Sequence, residues 1–273
     1  MWRDRLYPFL PAALRPLLAA VPCDIATDTR ELRVRCGRPM TLCGPFPDYP
    51  CQNTAAGPKL MENLLQTLAQ YGLYAQEDCL RHGLLSLPGG FRAGVCGRMS
   101  NGRFIALSSV CIRIPREKIG LAKGIIGPGP PKSMLIAGPP GSGKTTLLRD
   151  IVRLLAQRMP VGLVDERGEV AACHEGRPGL DVGPHCDILE GCPKAEGFMW
   201  LLRSMAPRVL AADELGHTAD AEACRAARRA GVAVAATVHA SPGKLPVFLQ
   251  DAGQTFDHII WLEPNFKIRM EAA

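Results

Sequence analysis

Residues 138–145 read Gly-Pro-Pro-Gly-Ser-Gly-Lys-Thr, which has the spacing G-x-x-x-x-G-K-[ST] of a phosphate-binding loop. The apolar run 134–137 before it is typical of a buried strand, and residues 146–155 after it are typical of a helix. A loop of this kind binds phosphate where a strand leads into a helix, because backbone N–H groups and the helix N-terminus meet there. The sequence therefore predicts a nucleotide site in an α/β domain.

Each residue type in this loop has a chemical role in the predicted site. The glycines let backbone N–H groups curl around phosphate oxygens, Lys144 neutralises the β and γ phosphates, and the Thr145 hydroxyl is a ligand for Mg²⁺. The residues that we expect to contact the nucleotide are Gly138, Pro139, Pro140, Gly141, Ser142, Gly143, Lys144, Thr145 and Thr146. A plain glycine turn is the alternative, but it does not explain the flanking strand and helix.

The composition is that of a globular chain that can bury a core. The chain has 273 residues, 47% of them hydrophobic, and its 24 prolines and 28 glycines are scattered along the sequence rather than gathered in one tract. The net charge of +6 suits phosphate ligands or an acidic surface, but it falls short of the charge expected of a nucleic-acid-binding domain. We therefore expect no nucleic-acid partner.

The absence of a predicted signal peptide and of a long apolar run leads us to expect a cytoplasmic protein. Residues 1–5 are largely charged, and Pro8, Pro11 and Pro16 break the next apolar stretch, so no signal peptide is predicted. No apolar run reaches the roughly 18 residues that a transmembrane helix needs, so we expect no such segment. The 11 cysteines are accordingly expected to be reduced.

Glycines and prolines crowd residues 123–132, just before the first core strand, as is typical of a linker. This linker divides the chain into a smaller α+β domain, residues 1–122, and a nucleotide-binding domain, residues 133–273. In the first domain we predict helices at about 11–20 and 58–75, strands at 31–35, 94–97, 103–107 and 110–114, and turns at 88–90 and 101–102.

In the second domain strands alternate with helices. The predicted strands are 133–137, 161–165, 208–212, 232–237 and 258–262, and the predicted helices are 144–158, about 194–205 and 219–230. This alternation builds a mainly parallel sheet that helices cover on both faces, and ligands bind at the carboxyl ends of its strands.

Two of these strands are followed by acids that suit phosphate chemistry. Asp213 and Glu214 close an apolar strand, where we expect Asp213 to hold Mg²⁺ through water and Glu214 to polarise the attacking water. Glu166 follows the strand 161–165 and competes with Glu214 for the second role. An acid at a strand end can also be a plain surface ion pair, and the residues themselves leave the choice of general base open.

Other polar residues are candidates for contacts with the nucleotide. The strand that ends at His239 also carries Thr237, and we expect its hydroxyl and the imidazole to sense the γ-phosphate and report it to the neighbouring subunit, with a purely structural histidine as the alternative. Arginines from a neighbouring chain can stabilise charge on the transferred phosphoryl group. The candidates for this role are Arg92, Arg98, Arg113, Arg203 and Arg208, each of which is otherwise a surface residue.

A cluster of cysteines and histidines raises the possibility of zinc. It consists of Cys173, His174, His185, Cys186 and Cys192. The spacing contains no C-x-x-C pair, so the pattern favours buried or loop thiols over a zinc site.

Several segments together form a long and unusual signature. They are 135–150, 164–167, 191–197 and 202–207 in the second domain and, more loosely, 31–39, 91–98 and 109–114 in the first. With this set the chain resembles the stage III sporulation protein AA family, ATPases related to the motors of type II and type IV secretion.

The resemblance implies a RecA-like P-loop core that binds ATP and Mg²⁺ and hydrolyses ATP, with Lys144, Glu166 and Glu214 as catalytic residues. In secretion motors the acid after the second core strand activates water, which favours Glu166, and their histidine box is similar to residues 237–240. The resemblance also implies a hexameric ring on the mother-cell side of the forespore membrane, peripheral to it, with channel proteins of the stage III sporulation complex as partners.

Two other functions remain open at this point. One is a nucleotide-gated scaffold that binds ATP and hardly hydrolyses it. The other is a nucleic-acid-dependent ATPase, which the absence of a dense basic stripe and an aromatic content of only 5% disfavour.

Overall fold

Two sheets, of six and seven strands, organise the residues that the computed structural model describes, namely 2–70, 83–100, 103–251, 254–263 and 267–273. The chain divides into a first unit of Met1–Arg116 with His174–Gly179 and a second unit of Glu117–Cys173 with Leu180–Ala273. Each unit has its own sheet and its own hydrophobic core. Among the helices of the described ranges, none has the length and apolar character needed to cross a bilayer.

The first unit packs short helices on an antiparallel sheet. Its helices are α1 (Trp2–Leu6), α2 (Arg15–Ala19), α3 (Cys23–Asp28) and α4 (Pro58–Leu68), and its strands are β1 (Glu31–Arg35), β2 (Pro39–Cys43), β3 (Tyr49–Ala55), β4 (Leu84–Leu87), β5 (Phe91–Ser100) and β6 (Arg103–Arg113). The strand order is β3-β2-β1-β6-β5-β4, with every neighbouring pair antiparallel. Alternate residues such as Leu32 and Val34 are buried, as expected for a sheet with one covered face.

The second unit is a mainly parallel sheet between two layers of helix. Its strands are β7 (Met134–Gly138), β8 (Val161–Asp165), β9 (Cys186–Glu190), β10 (Val209–Leu215), β11 (Ala233–His239), β12 (His258–Glu263) and β13 (Lys267–Ala272), and its helices are α5 (Lys144–Leu155), α6 (Lys194–Ser204) and α7 (Thr218–Arg229). The strand order is β13-β12-β7-β11-β10-β8-β9, and only β12 and β13 pair antiparallel.

Successive residues of β7 enter opposite cores of this unit. Ile136 packs in the cluster that includes Leu147 of α5, whereas Leu135 and Ala137 pack in the cluster that includes Phe198 of α6. Because both faces of the strand are covered, all of its residues are buried and apolar or glycine. The α/β class expected from the alternation of strands and helices is confirmed.

In the first unit the strands predicted at 31–35 and 94–97 are found in β1 and β5, whereas α1, α3, β2, β3 and β4 were not predicted. The helix predicted at 11–20 is shorter, because Pro16 lacks an N–H and is tolerated only in the first turn, so that α2 begins at Arg15. The strands predicted at 103–107 and 110–114 are parts of the single strand β6.

The helix predicted at 58–75 begins at Pro58 as α4 but ends at Leu68, since residues 69–70 form a turn. The turn predicted at 88–90 is a short 3₁₀ turn. Residues 71–75 of that helix and the turn predicted at 101–102 lie outside the described residues.

In the second unit every predicted strand and helix is confirmed, with small shifts at the ends. Strands β9 and β13 were not predicted. The residues of β9 are only half-buried or exposed and those of β13 are all exposed, so neither strand shows the buried apolar run that identifies the others.

The predicted linker, residues 123–132, is part of the second unit. Just before it, the backbone N–H groups of Gly120 and Ala122 donate to the carboxylate of Asp150 on α5, at 2.9 and 2.8 Å. The same carboxylate pairs with Arg153 at 2.7 Å. Asp150 therefore fixes residues 120–122, which precede the predicted linker, to helix α5.

Burial by itself opposes ionisation of Asp150, whose exposed fraction is 3%. The N–H of Ala122, the Arg153 guanidinium and the N–H of Gly120 outweigh this effect, and the pKa of Asp150 lies below its usual 3.8. Since the folded-state pKa is below the unfolded one, the ionised carboxylate stabilises the fold above pH 3.8. This stabilisation is lost as the pH falls through the folded-state pKa.

We expect Asp150→Asn to lower the free energy of unfolding at pH 7 by about 1–3 kcal/mol, because a neutral amide replaces a charged acceptor of several hydrogen bonds. Chemical denaturation measures the difference, which should shrink as the pH falls below about 4. The exposed Asp251→Asn is the control and should stay within about 0.5 kcal/mol of wild type. A difference that is independent of pH would contradict this account.

Candidate nucleotide-binding site

The loop between β7 and α5 has a backbone that glycine makes possible. Gly141 and Gly143 have φ angles of +73° and +98°, in the left-handed region that residues with a Cβ rarely adopt. Gly138 is restricted by space, because a Cβ there would collide with the backbone oxygen of Leu262 on the neighbouring strand β12. The loop thus curls in front of the N-terminus of α5, where free N–H groups and the helix dipole favour an anion.

Lys144 is the first residue of α5, and its ammonium turns back over the loop. Its Nζ donates to the carbonyl oxygen of Pro139 at 2.8 Å and lies 3.1 Å from Nδ1 of His239. The side chain is only 6% exposed, and this burial lowers its pKa against the opposing effect of the Asp213 and Glu214 carboxylates. An anionic ligand beside the ammonium would offset the cost of burying its charge.

The other predicted loop residues surround this lysine. The buried Ser142 hydroxyl donates to the carbonyl of Pro139 at 2.9 Å. Pro140 is exposed at the tip of the loop, and Thr146 is half-buried in the first turn of α5. The structure therefore brings the predicted loop residues together at the carboxyl end of β7.

Asp213, near the end of β10, accepts hydrogen bonds from two hydroxyl groups. Thr145 donates to its Oδ2 at 2.6 Å, and Thr237 of β11 donates to its Oδ1 at 2.5 Å. Beside the loop, Thr145 and Asp213 thus present a hydroxyl and a carboxylate in contact with each other. Oxygen ligands of this kind fit Mg²⁺, which binds proteins through one or two side chains and keeps several waters.

Glu214 reaches the same place through an unusual backbone conformation. Its φ angle is +56°, which is uncommon for a residue with a side chain, and its N–H donates to Oγ1 of Thr237 at 2.7 Å. Its carboxylate forms an ion pair with Arg167 and lies 3.5 Å from Nε2 of His239. His239 therefore faces Glu214 with one ring nitrogen and Lys144 with the other.

Glu166, the other predicted general base, forms an ion pair with Lys194 at the start of α6. The side chain of Lys194 is only 11% exposed, whereas that of Arg167, the partner of Glu214, is 62% exposed. Each candidate base therefore forms an ion pair at the end of its strand, and a carboxylate can accept a proton from water.

Asp165 has a structural role beside these acids. Its buried carboxylate accepts hydrogen bonds from the backbone N–H groups of residues 169–171 at 2.8–3.1 Å. The buried Arg149 of α5 donates to the carbonyl oxygens of residues 169 and 170 at 2.7 and 2.6 Å. An acid on β8 and a guanidinium on α5 thus shape the loop that carries Glu166.

The arginines predicted to act on a neighbouring chain lie on several elements. Arg92 and Arg98 are on β5, Arg113 is on β6, Arg203 is on α6 and Arg208 precedes β10. In the second unit, Arg203 and Arg208 lie where α6 ends and β10 begins, at the amino edge of the sheet and opposite to the loop. Within one chain they are therefore far from Lys144.

The cysteines considered for zinc are thiols with little tendency to ionise. Burial is the main cause that raises the pKa of Cys173 to about 11 and that of Cys186 to about 12. In the part of the chain that the structure describes, no three His, Cys, Asp or Glu side chains are grouped so that they could hold a metal ion.

Three charged residues around the site were not predicted. They are Arg149, Arg167 and Lys194. Two of them had a usable signal in the sequence, because Arg167 directly follows Glu166 and Arg149 lies one helical turn after Thr145. Lys194 had none, since 28 residues separate it from its partner Glu166.

A family model and a relative of known name identify the same family. The model of the family described as "Sporulation stage III, protein AA" matches residues 2–245. Stage III sporulation protein AA of Bacillus subtilis (strain 168) is 37% identical over 245 residues, which are 84% of this chain and 79% of that protein. The uncharacterized protein ycf45 of Porphyra purpurea is 26% identical over 145 residues, which are 52% of this chain and 25% of that protein.

Solved structures show the same fold. The ATPase DotB of Legionella pneumophila has a TM-score of 0.61 and 16% identity, over 92% of this chain and 76% of that one. The pilus retraction motor PilT, solved with bound ADP, has a TM-score of 0.60 and 16% identity, over 85% of this chain and 74% of that one. The predicted RecA-like α/β fold is therefore confirmed.

We expect Asp165→Asn to lower the free energy of unfolding by about 2–3 kcal/mol, because it weakens several hydrogen bonds to a buried charged group. Chemical denaturation at pH 7 measures this change. Asp187→Asn on the neighbouring strand β9 is the control, with an expected change below about 0.5 kcal/mol. Equal stability of the Asp165 variant and wild type would show that the carboxylate does not hold the loop.

Proposed function

This chain belongs to the family of sporulation stage III, protein AA, and we propose that it is an ATP-hydrolysing motor of the secretion-ATPase type. The observation that carries the proposal is the contact of Lys144 and Thr145, at the start of α5, with His239 and Asp213 at the ends of neighbouring strands. The RecA-like fold shared with the ATPase DotB and the motor PilT supports it.

In this proposal the backbone of residues 138–146 binds the phosphates, and the Lys144 ammonium neutralises the β and γ phosphates. The Thr145 hydroxyl would hold Mg²⁺ directly and Asp213 would hold it through water. The ion, when bound, neutralises charge on the phosphate oxygens. His239 is the residue whose ring lies against both Lys144 and Glu214, so it is suited to sense the γ-phosphate.

Glu166 and Glu214 are the two candidates for the general base, and we favour Glu166 on the resemblance to secretion motors. Their ion-pair partners differ in exposure, because Glu166 pairs with the nearly buried Lys194 and Glu214 pairs with the exposed Arg167. Replacing each of the two residues by glutamine tests the assignment.

We propose further that the protein works in the cytoplasm as a hexameric ring, at the mother-cell side of the forespore membrane. Its partners there would be channel proteins of the stage III sporulation complex, and the ring would power or assemble that channel. Family membership supports this location. The position of Arg203 and Arg208 at the edge opposite to the loop favours a role for arginines in a neighbouring copy rather than in their own chain. No nucleic-acid partner is proposed.

We expect the protein to release phosphate from ATP in the presence of Mg²⁺, and Lys144→Ala to reduce the rate by at least about 10²-fold, because the variant removes the cation that faces the phosphates. A phosphate-release assay measures the rate. Lys132→Ala replaces an exposed lysine of the same unit and should keep the wild-type rate. Unchanged hydrolysis by folded Lys144→Ala would refute the proposed site.

We expect Glu166→Gln to lower kcat by about 10²–10⁴-fold, while ATP still binds, because an amide cannot take a proton from water. Glu214→Gln should have the smaller effect, and Glu222→Gln, at an exposed position of α7, should have none. Steady-state kinetics of the three variants measure the difference. A larger loss of kcat in Glu214→Gln than in Glu166→Gln would identify Glu214 as the general base. If wild type binds ATP without turnover, the chain is a nucleotide-gated scaffold.

A further inference from the structure

β10 and β11 change register just beside the site. The paired positions on either side of the change are Ala212 with Ala236 and Leu215 with Val238. Asp213 and Glu214 together therefore stand opposite the single residue Thr237, which makes a β-bulge. In a regular strand two successive side chains point to opposite faces, whereas a bulge re-aims them. Here the carboxylate of Asp213 faces Thr145 and the carboxylate of Glu214 faces His239, at the edge of the sheet beside the phosphate-binding loop.

Thr237 makes two side-chain hydrogen bonds at the bulge, one with the backbone of Glu214 and one with the carboxylate of Asp213. Its Oγ1 accepts the N–H of Glu214 at 2.7 Å, and its hydroxyl proton is donated to Oδ1 of Asp213 at 2.5 Å. A hydroxyl has one proton to donate, and here that proton serves one acid while the oxygen serves the backbone of the next. The side chain is 0% exposed, so water does not compete for these bonds.

These two bonds orient the carboxylates of Asp213 and Glu214. The bond to Oδ1 sets the plane of the Asp213 carboxylate and leaves Oδ2 facing the hydroxyl of Thr145. The bond from the N–H of Glu214 stabilises that residue in its left-handed conformation, with φ of +56°, and so directs its carboxylate toward His239. One buried hydroxyl thus controls the direction of both acids.

We propose that Thr237 is a positioning residue that aims Asp213 and Glu214 together. Its effect on turnover rests on the proposed ATPase function, but its effect on the backbone of Glu214 does not. Thr237 touches neither phosphate nor metal in this role. It acts through the two acids, so its loss affects the reaction more than the binding of ATP.

The decisive variants keep the shape of the side chain and change only the hydroxyl. Thr237→Val replaces the hydroxyl by a methyl group and keeps the branching at Cβ that suits a strand. Thr237→Ser keeps the hydroxyl and removes the methyl group. Thr237→Ala is the second variant without a hydroxyl, in case the valine protein does not fold. Thr255→Val, at another buried threonine of the same unit, is the matched control.

In the nucleotide-free protein, amide hydrogen exchange measures how well the backbone N–H of Glu214 is protected by its hydrogen bond. We expect the N–H of Glu214 to be protected in wild type and Thr237→Ser, and to exchange at least about 10-fold faster in Thr237→Val, because the variant removes the hydroxyl oxygen that accepts it. Equal protection in Thr237→Val and wild type would overturn the inference whatever the protein does with ATP.

With ATP, we expect Thr237→Val to lower kcat by about 10²-fold and to raise the Mg²⁺ concentration needed for half-maximal rate, while KM for ATP stays within about 3-fold of wild type. Thr237→Ser and Thr255→Val should keep kcat within about 3-fold of wild type. All rates are compared at a temperature where melting curves show every variant folded.

The outcomes separate this inference from the proposed function. If wild type hydrolyses ATP and Thr237→Val does so equally well, the inference is wrong and the function stands. If Thr237→Ser lowers kcat as much as Thr237→Val does, the residue matters for packing and the inference is again wrong. If wild type has no turnover, the proposed function fails, and the exchange of the Glu214 amide still decides whether Thr237 positions the acids.

Discussion

The carboxylate of Asp213 is the link on which the site depends, because it joins helix α5 to strands β10 and β11 through the hydroxyl groups of Thr145 and Thr237. The strands of this sheet are apolar almost to their carboxyl ends, so they offer few polar groups that could orient a helix at that edge. The bond from Thr145 ties the start of α5 to β10, and the bond from Thr237 ties β11 to the same carboxylate. The glycines of the loop then bring the Lys144 ammonium back over this edge.

The charges around this link are arranged in pairs. Glu166 lies against Lys194 and Glu214 lies against Arg167, so each acid has a cation beside it. Lys144 is different, since burial lowers its pKa although two carboxylates act in the opposite direction. The site thus combines paired acids with a lysine whose charge an anionic ligand would stabilise. That combination suits a triphosphate better than a neutral substrate.

Local patterns in the sequence predicted much of this unit, and long-range contacts account for what they missed. The phosphate loop and the acids at strand ends could be found because a parallel sheet collects the carboxyl ends of its strands at one edge. The strand β13 escaped prediction although charged and apolar residues alternate along it, because all of its residues are exposed and it lacks the continuous apolar run of the core strands. The partner of Glu166 could not be found from spacing, since Lys194 meets it only when α6 packs on the sheet. The bulge opposite Thr237 has no sequence signal either, because a residue with a side chain, Glu214, takes the left-handed conformation that usually marks a glycine.

The most direct test of the central claim is calorimetric titration of the folded protein with ATP, once with Mg²⁺ and once with a chelator. The account predicts one binding site per chain, with a higher affinity when Mg²⁺ is present, because Thr145 and Asp213 supply oxygen ligands beside the phosphate loop. Absence of any binding heat with Mg²⁺, from protein shown to be folded by circular dichroism, would contradict it.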